Sequence, residues 1–173
     1  MDLPGARLVV SGLVRCGDSV VIVKNSSPRG PQWSPPGGKV EPGETPIAAA
    51  IREIQEECGL VVVQPRRLVH ATHMTFAAES GIETWISFGY EFLLDRTVDL
   101  PEVEDPDGIV STAEWLNIRA ASDRVRASAI EPVAQAFVNY CSDVNDLVTR
   151  YYEFDVDLAR QPPSQSTTYF HDL

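Results

Sequence analysis

The chain has 173 residues, 43% of them hydrophobic and 23% charged, which is the size and balance of one folded domain with a real core and argues against wholesale disorder. Its 25 acidic residues against 14 basic ones leave a net charge of −11, a surface that repels the backbone of a long nucleic acid and anionic lipid. No stretch approaches the ~18 apolar residues of a membrane span, the N-terminus lacks the pattern of a secretory leader, and Cys16, Cys58 and Cys141 are too scattered for a disulfide framework or a zinc site, so the expected location is cytoplasmic.

In chain order, Arg7 to Arg15 reads as a strand, Gly17-Asp18 as a tight turn and Ser19 to Lys24 as a second strand. The Pro-, Ser- and Gly-rich stretch 25–37 around Trp33 reads as a loop. Thr45 is a good N-cap and Pro46 a good first residue for a helix that runs to Cys58 and stops at Gly59. Leu60 to Val63, Arg66 to Phe76 and Ile82 to Leu94 read as extended, the last with an apolar period of two. An acidic loop over 95–108 leads to a strand over Ile109 to Ile118. Helical pattern resumes near Ser122 and again from Pro132 to about Tyr152. Strands that need helices to cover them predict an α+β fold with a mixed sheet. The expected organisation is a single domain over 1–155 and a flexible C-terminal tail over 156–173, where Pro, Ser, Thr and Gln dominate.

The helix at 45–58 carries the chemistry. Ile47, Ile51, Ile54 and Cys58 form one stripe, expected to face the core. Glu53, Glu56 and Glu57 fall within roughly 100° of one another on the side away from it. Three carboxylates on one face repel, and Arg52, four residues before Glu56, offsets only part of that. A bound cation turns repulsion into ligation, and an all-oxygen donor set selects Mg²⁺ or Mn²⁺ over Zn²⁺. A glutamate cluster alone is more often a solvated acidic face. The segment Pro36-Gly37-Gly38-Lys39-Val40-Glu41-Pro42-Gly43-Glu44 changes the balance, because its glycines let backbone approach a ligand or metal directly before the helix. Lys24 and Arg29, at the end of the second strand and in the loop before the glycines, are the candidate phosphate contacts, with Gly38 beside them. Trp33, Phe76, Trp85 and Trp115 are candidates to stack on a base, although strand aromatics are more often core. His70 and His73 read as ordinary residues on opposite strand faces.

Gly38, five residues, Glu44, seven residues, then Arg52-Glu53-Ile54-Gln55-Glu56-Glu57-Cys58-Gly59-Leu60 resembles the signature box of the Nudix hydrolases, with every fixed position filled and Pro36-Gly37 as lead-in. The resemblance implies an α/β/α sandwich over about 6–150 and a hydrolase of nucleoside diphosphates linked to another group X. It implies that Glu53, Glu56 and Glu57 hold divalent metal with the backbone carbonyl of Gly37, that Arg52 orients the glutamates, and that Glu44 supports the loop. The base that takes the proton of the attacking water is a box glutamate, Glu56 or Glu57, or an acid of the following loop. Of Glu102, Glu104, Asp105 and Asp107, with Glu114 beyond, Glu104 is the favoured loop candidate.

The expected activity is therefore a Mg²⁺- or Mn²⁺-dependent pyrophosphohydrolase of a small nucleotide such as a nucleoside triphosphate, without long nucleic acid or membrane as partner and with a homodimer left open. The nucleobase is expected to extend toward Trp85, Phe76, Ser11 and Leu13. The rival readings are a nucleotide sensor of the same fold without catalysis, which the intact box disfavours, and an RNA-end pyrophosphohydrolase, which the charge disfavours.

Overall fold

The structure is a computed structural model that describes residues 5–27, 30–78, 81–103, 105–157, 164–166 and 171–172. Strand β1 (Arg7–Cys16) turns at Gly17 (φ 54°) into β2 (Ser19–Asn25). The two pair only beside that turn, through Arg15↔Val20 and Cys16↔Ser19, and then diverge. The short β3 (Gln32–Ser34) follows β2, with Lys24 opposite Trp33. The loop beyond β3 follows β1 instead. Its Pro36 and Gly38 carbonyls accept from the Gly12 and Val10 amides, each at 2.8 Å. The fork between β1 and β2 thus seats the glycine loop in the middle of the sheet.

Helix α1 (Pro46–Cys58) comes next, followed by β4 (Arg67–Ala78), β5 (Gly81–Leu93), β6 (Val110–Asn117), α2 (Ile118–Ser128), α3 (Glu131–Ser142), β7 (Arg150–Asp157), β8 (Ser164–Ser166) and β9 (His171–Asp172). Among the described residues the sheet runs β3-β2-β1-β5-β4-β7-β8, with β6 on the other side of β2 and β9 also on β7. β1 lies parallel to β5 and β4 parallel to β7, while the other pairs are antiparallel, so the sheet is mixed and the class α+β.

Alternation along β1 and β2 separates two layers. Val10, Val14, Val21 and Val23 pack under α1 with Ala49, Ala50, Ile54 and Cys58. Leu13, Val20 and Ile22 pack on the opposite face under Ala121, Val125, Phe137 and Tyr140 of α2 and α3. At Gly12 any Cβ would collide with the Ile54 side chain, so glycine there lets α1 lie close on the strand.

Some elements depart from the sequence pattern. The loop over 25–37 contains β3, and Leu60 to Val63 belongs to no strand. Helical pattern does not continue to Tyr152. Asp143 Oδ1 accepts from the amides of Asn145 and Asp146 at 3.1 Å each, an Asx-type turn that competes with the helix and ends α3. The segment after it is β7, which buries Tyr152 and Phe154 at period two. In the segment expected to be a tail, β8 pairs with Asp155 to Asp157 and β9 with Arg150 and Tyr151. No helix among the described residues is long and apolar enough to cross a membrane.

Candidate active site

Local sequence sets α1 as its capping residues demand. Thr45 Oγ1 accepts from the Ala48 amide at 3.2 Å, Pro46 opens the helix, and Gly59 closes it at φ 64° with its amide on the Gln55 carbonyl. Of the expected stripe, Ile54 and Cys58 are buried and Ile51 packs against the core, while Ile47 turns outward. Ile47 is 41% exposed, and the helix meets the sheet through Ala49, Ala50, Ile54, Glu57 and Cys58. The small alanines permit the close approach, and this rotation carries Glu57 inward, 6% exposed, rather than leaving it on an outer acidic face.

Three functional groups meet at the glycine loop. The Gly37 amide donates to Glu57 Oε2 at 2.8 Å. The neighbouring carbonyls of Pro36 and Gly38 are turned to β1, so the polar groups of Gly37 between them face α1. A Cβ at Gly37 would collide with the Val10 carbonyl, so the fold needs glycine there, while one at Gly38 would displace the carboxylate of Glu53. Arg52 ties the rest together. Its guanidinium donates to Glu44 Oε1 (3.1 Å), Glu53 Oε1 (2.8 Å), Glu56 Oε2 (3.0 Å) and the Lys39 carbonyl (2.9 Å).

The electrostatics follow from this geometry. Burial pushes the Glu57 carboxyl up to about 8; the Gly37 amide works against that, while Glu53, Asp105 and Glu56 add to it. Burial also raises Glu53, against the pull of Arg52, with further repulsion from Glu56 and Asp107. The hydrogen bond from Arg52 lowers Glu44. Among the described residues no three His, Cys, Asp or Glu side chains form a ready metal cage. The donor set nonetheless fits a hard divalent cation: Arg52 gathers Glu53 and Glu56, Glu57 repels Glu53 and Glu56 from its buried place, and the backbone of a glycine loop lies beside it.

The acidic loop reaches this site. Asp105 accepts from the amides of Asp107 (3.1 Å), Ile109 (2.6 Å) and Val110 (2.7 Å), which folds the loop so that Asp105 acts on Glu57 and Asp107 on Glu53. Glu104 lies outside the described residues, as does Arg29. Lys24 lies on β2 between Trp33 and Thr112 and does not line the cavity described next.

On the other side of Gly37 and Gly38 a cavity of about 260 Å³ opens between the sheet and α3. Val9, Ser11 and Leu13 line it from β1, Trp85 and Ser87 from β5, and Val133, Ala136 and Phe137 from α3. Phe76 and Trp85 meet edge to face at 5.5 Å, and Arg7 lies 5.4 Å over Trp85. The expected base direction named Ser11, Leu13, Phe76 and Trp85, and all line this cavity. Sequence reasoning missed His70, Thr72, Met74, Ser87 and the α3 wall. Period two along β4 could have found Thr72, Met74 and Phe76 as a set, while α3 was assigned no partner face.

The NUDIX domain model matches residues 5–137. A curated relative, an 8-oxo-(d)GTP phosphatase of Mycolicibacterium smegmatis, is 32% identical over 127 residues, covering 72% of this chain and 36% of its own length. The chain thus spans little more than a third of that relative. A MutT protein from Bacillus halodurans shares the fold with a TM-score of 0.68 at 20% identity, over 95% of this chain and 97% of that one. A NUDIX hydrolase from Nitrosomonas europaea does so with a TM-score of 0.64 at 25% identity, over 80% and 90%. An intact box folded onto the glycine loop, a family match across most of the chain and the shared fold lead to one conclusion: this chain belongs to the NUDIX family.

Proposed function

We propose that the chain is a divalent-metal-dependent pyrophosphohydrolase that cleaves a nucleoside diphosphate linked to a group X, a nucleoside triphosphate in the first place, to a nucleoside monophosphate and a phosphorylated leaving group. The observation that carries this reading is the shared wall: Gly37 and Gly38 contact the carboxylates of α1 on one side and line an apolar cavity on the other. A nucleotide that lays its phosphates over the glycines puts its base in the cavity and its anhydride beside the glutamates. The relative's name, with its 8-oxo-(d)GTP substrate, supports a purine triphosphate in that role.

Glu53, Glu56 and Glu57, with the carbonyl of Gly37, would hold Mg²⁺ or Mn²⁺. That ion would supply charge neutralisation at the phosphate oxygens and a lowered pKa for the attacking water. Arg52 orients Glu53 and Glu56 and keeps their charge from splaying the helix face. Glu56 or Glu57 in the box, or Glu104 by the sequence expectation, takes the proton of the water. Arg29 and Lys24 stay candidates for phosphate contact.

The test is product analysis in H₂¹⁸O with Mg²⁺ and a panel of nucleoside triphosphates. The reading expects nucleoside monophosphate and pyrophosphate, and no turnover in EDTA. Orthophosphate as first product would replace it with a terminal phosphatase geometry, and full turnover in metal-free buffer would remove the metal from it.

A further inference from the structure

The described lining of the cavity contains no Asp, Glu, Lys or Arg. Its polar side-chain groups are the hydroxyls of Ser11, Ser34, Thr72 and Ser87, the imidazole of His70 and the indole N–H of Trp85, which donates to Glu83 Oε2 at 3.3 Å. His70 is 6% exposed and Thr72 2%, and the His70 Nδ1 and Thr72 Oγ1 lie 3.2 Å apart. Tyr152 meets the ring edge-on at 6.2 Å. Thr72 thus engages one ring nitrogen. The other, Nε2, has no hydrogen-bond partner among the described residues. Among the described residues, no side-chain nitrogen or oxygen sealed from solvent lacks a partner, so Nε2 opens on the cavity that His70 lines.

Two backbone features place the ring there. The β4–β5 register slips between Leu68 and His70, a bulge that leaves both Val69 and His70 on the α3 side: Val69 packs with Phe137 and Tyr140, and His70 lines the cavity with Phe137. Directly opposite His70 stands Gly89, where any Cβ would collide with Nε2 and its neighbouring ring carbons. Gly89 in turn lies opposite Ser11 on β1. The Nε2 edge of the ring therefore sits over Gly89, on the strand that pairs with β1. Burial pushes the imidazole down to about 4, so at neutral pH it is uncharged and carries one donor and one acceptor nitrogen.

We propose that His70, held by Thr72 and admitted by Gly89, is a specificity-determining residue whose Nε2 makes a single hydrogen bond to the uncharged end of the substrate. The inference rests on the nucleotide reading above, in which that end is the nucleobase. A cavity with hydroxyls, one imidazole and apolar walls sorts bases by shape and one edge atom. It offers no carboxylate or carboxamide for a bidentate grip, and no counter-charge for an X group with its own charge at that end.

The test compares wild type, His70→Phe and His70→Gln on nucleoside triphosphates and on inorganic tripolyphosphate, which has the phosphates and no base. His70→Phe is expected to raise KM about tenfold for the preferred base, near the upper end for one neutral hydrogen bond, with kcat held within twofold. The ranking of bases should change, tripolyphosphate hydrolysis should not, and His70→Gln should recover part of the KM. An equal loss on all substrates, tripolyphosphate included, or no change in KM, overturns the proposal. A wild type that turns over no nucleotide refutes the underlying reading instead, before any variant is considered. A measurement on folded wild type covers variants that fail to fold. On addition of the preferred free nucleoside, the imidazole ¹⁵N resonances of His70, assigned with His73→Gln and His171→Gln, should shift while those of His73 stay. No shift of His70 at millimolar nucleoside also overturns the proposal.

Discussion

Glu57 is the most heavily buried of the box glutamates, and its carboxyl is pushed up to about 8 while it accepts from the Gly37 amide. Glu57→Gln keeps an acceptor for that amide and removes the ionisable oxygen that a metal or the attacking water would use. Its kcat is expected to fall 10²-fold or more, on the order of 3 kcal/mol in the barrier, with an unchanged or raised unfolding midpoint. Activity loss that only tracks loss of folded protein would contradict this. The two loop glycines should separate by the same logic. Gly37→Ala meets the Val10 backbone, which cannot move aside, and should cost about 1–3 kcal/mol in urea unfolding. Gly38→Ala meets only the end of the Glu53 side chain, so it should fold within ~1 kcal/mol of wild type and lose turnover at least tenfold. The box was legible because capping residues, glycines and carboxylates each act locally. The inward turn of Glu57 was not, because Ala49 and Ala50 carry no pattern until a sheet lies beneath them.

Among elements, β5 bears the densest polar contact of the core. Glu91 is fully buried, and Arg15 (3.3 Å), Arg66 (3.2 Å), Arg67 (3.0 Å) and the Tyr140 hydroxyl (3.0 Å) all reach it, so it ties β1, β4, β5 and α3 together. Glu91→Gln leaves the guanidiniums without their shared counter-charge and should cost about 3 kcal/mol. Burial alone would raise the Glu91 carboxyl, but Arg67, Tyr140 and Arg15 outweigh it and hold it below its ordinary value. The stability it contributes is complete above the unfolded pKa of ~4.3 and is lost as pH falls through the lower folded value. His70 acts in a different window. The unfolded chain protonates it below ~6.5 and the folded chain only below about 4, so stability falls over that interval as pH drops and levels off beneath it. Urea unfolding as a function of pH should show His70→Gln flattening the upper limb and Glu91→Gln the lower one. Neither contact was legible in sequence. The bulge at Val69 shifts register through the backbone, and the Asp143 side chain ends a helix by accepting from the amides after it, neither of which apolar periodicity registers.

For the whole molecule, the α+β sandwich was legible because one strong amphipathic pattern after another needs a sheet to cover. What sequence could not assign was the far edge, where β7 replaces a helix and β8 and β9 pair with it. The described part of that segment contributes no residue to the box or the cavity lining. Deletion of 161–173 should therefore leave turnover within a few-fold. It should also open the outer edge of β7 and increase self-association, which light scattering would detect. Outright loss of turnover would show that the segment completes the site.

Two crafts meet on a single strand. Along β1, Val10, Gly12 and Val14 face the helix of the carboxylates, while Val9, Ser11 and Leu13 face the cavity. A change at one set is separated from the other by the thickness of one backbone. If the cavity holds the base as proposed, a library confined to positions 9, 11, 72 and 87 is expected to change base preference while leaving tripolyphosphate hydrolysis unchanged, which kinetics on a nucleotide panel would measure.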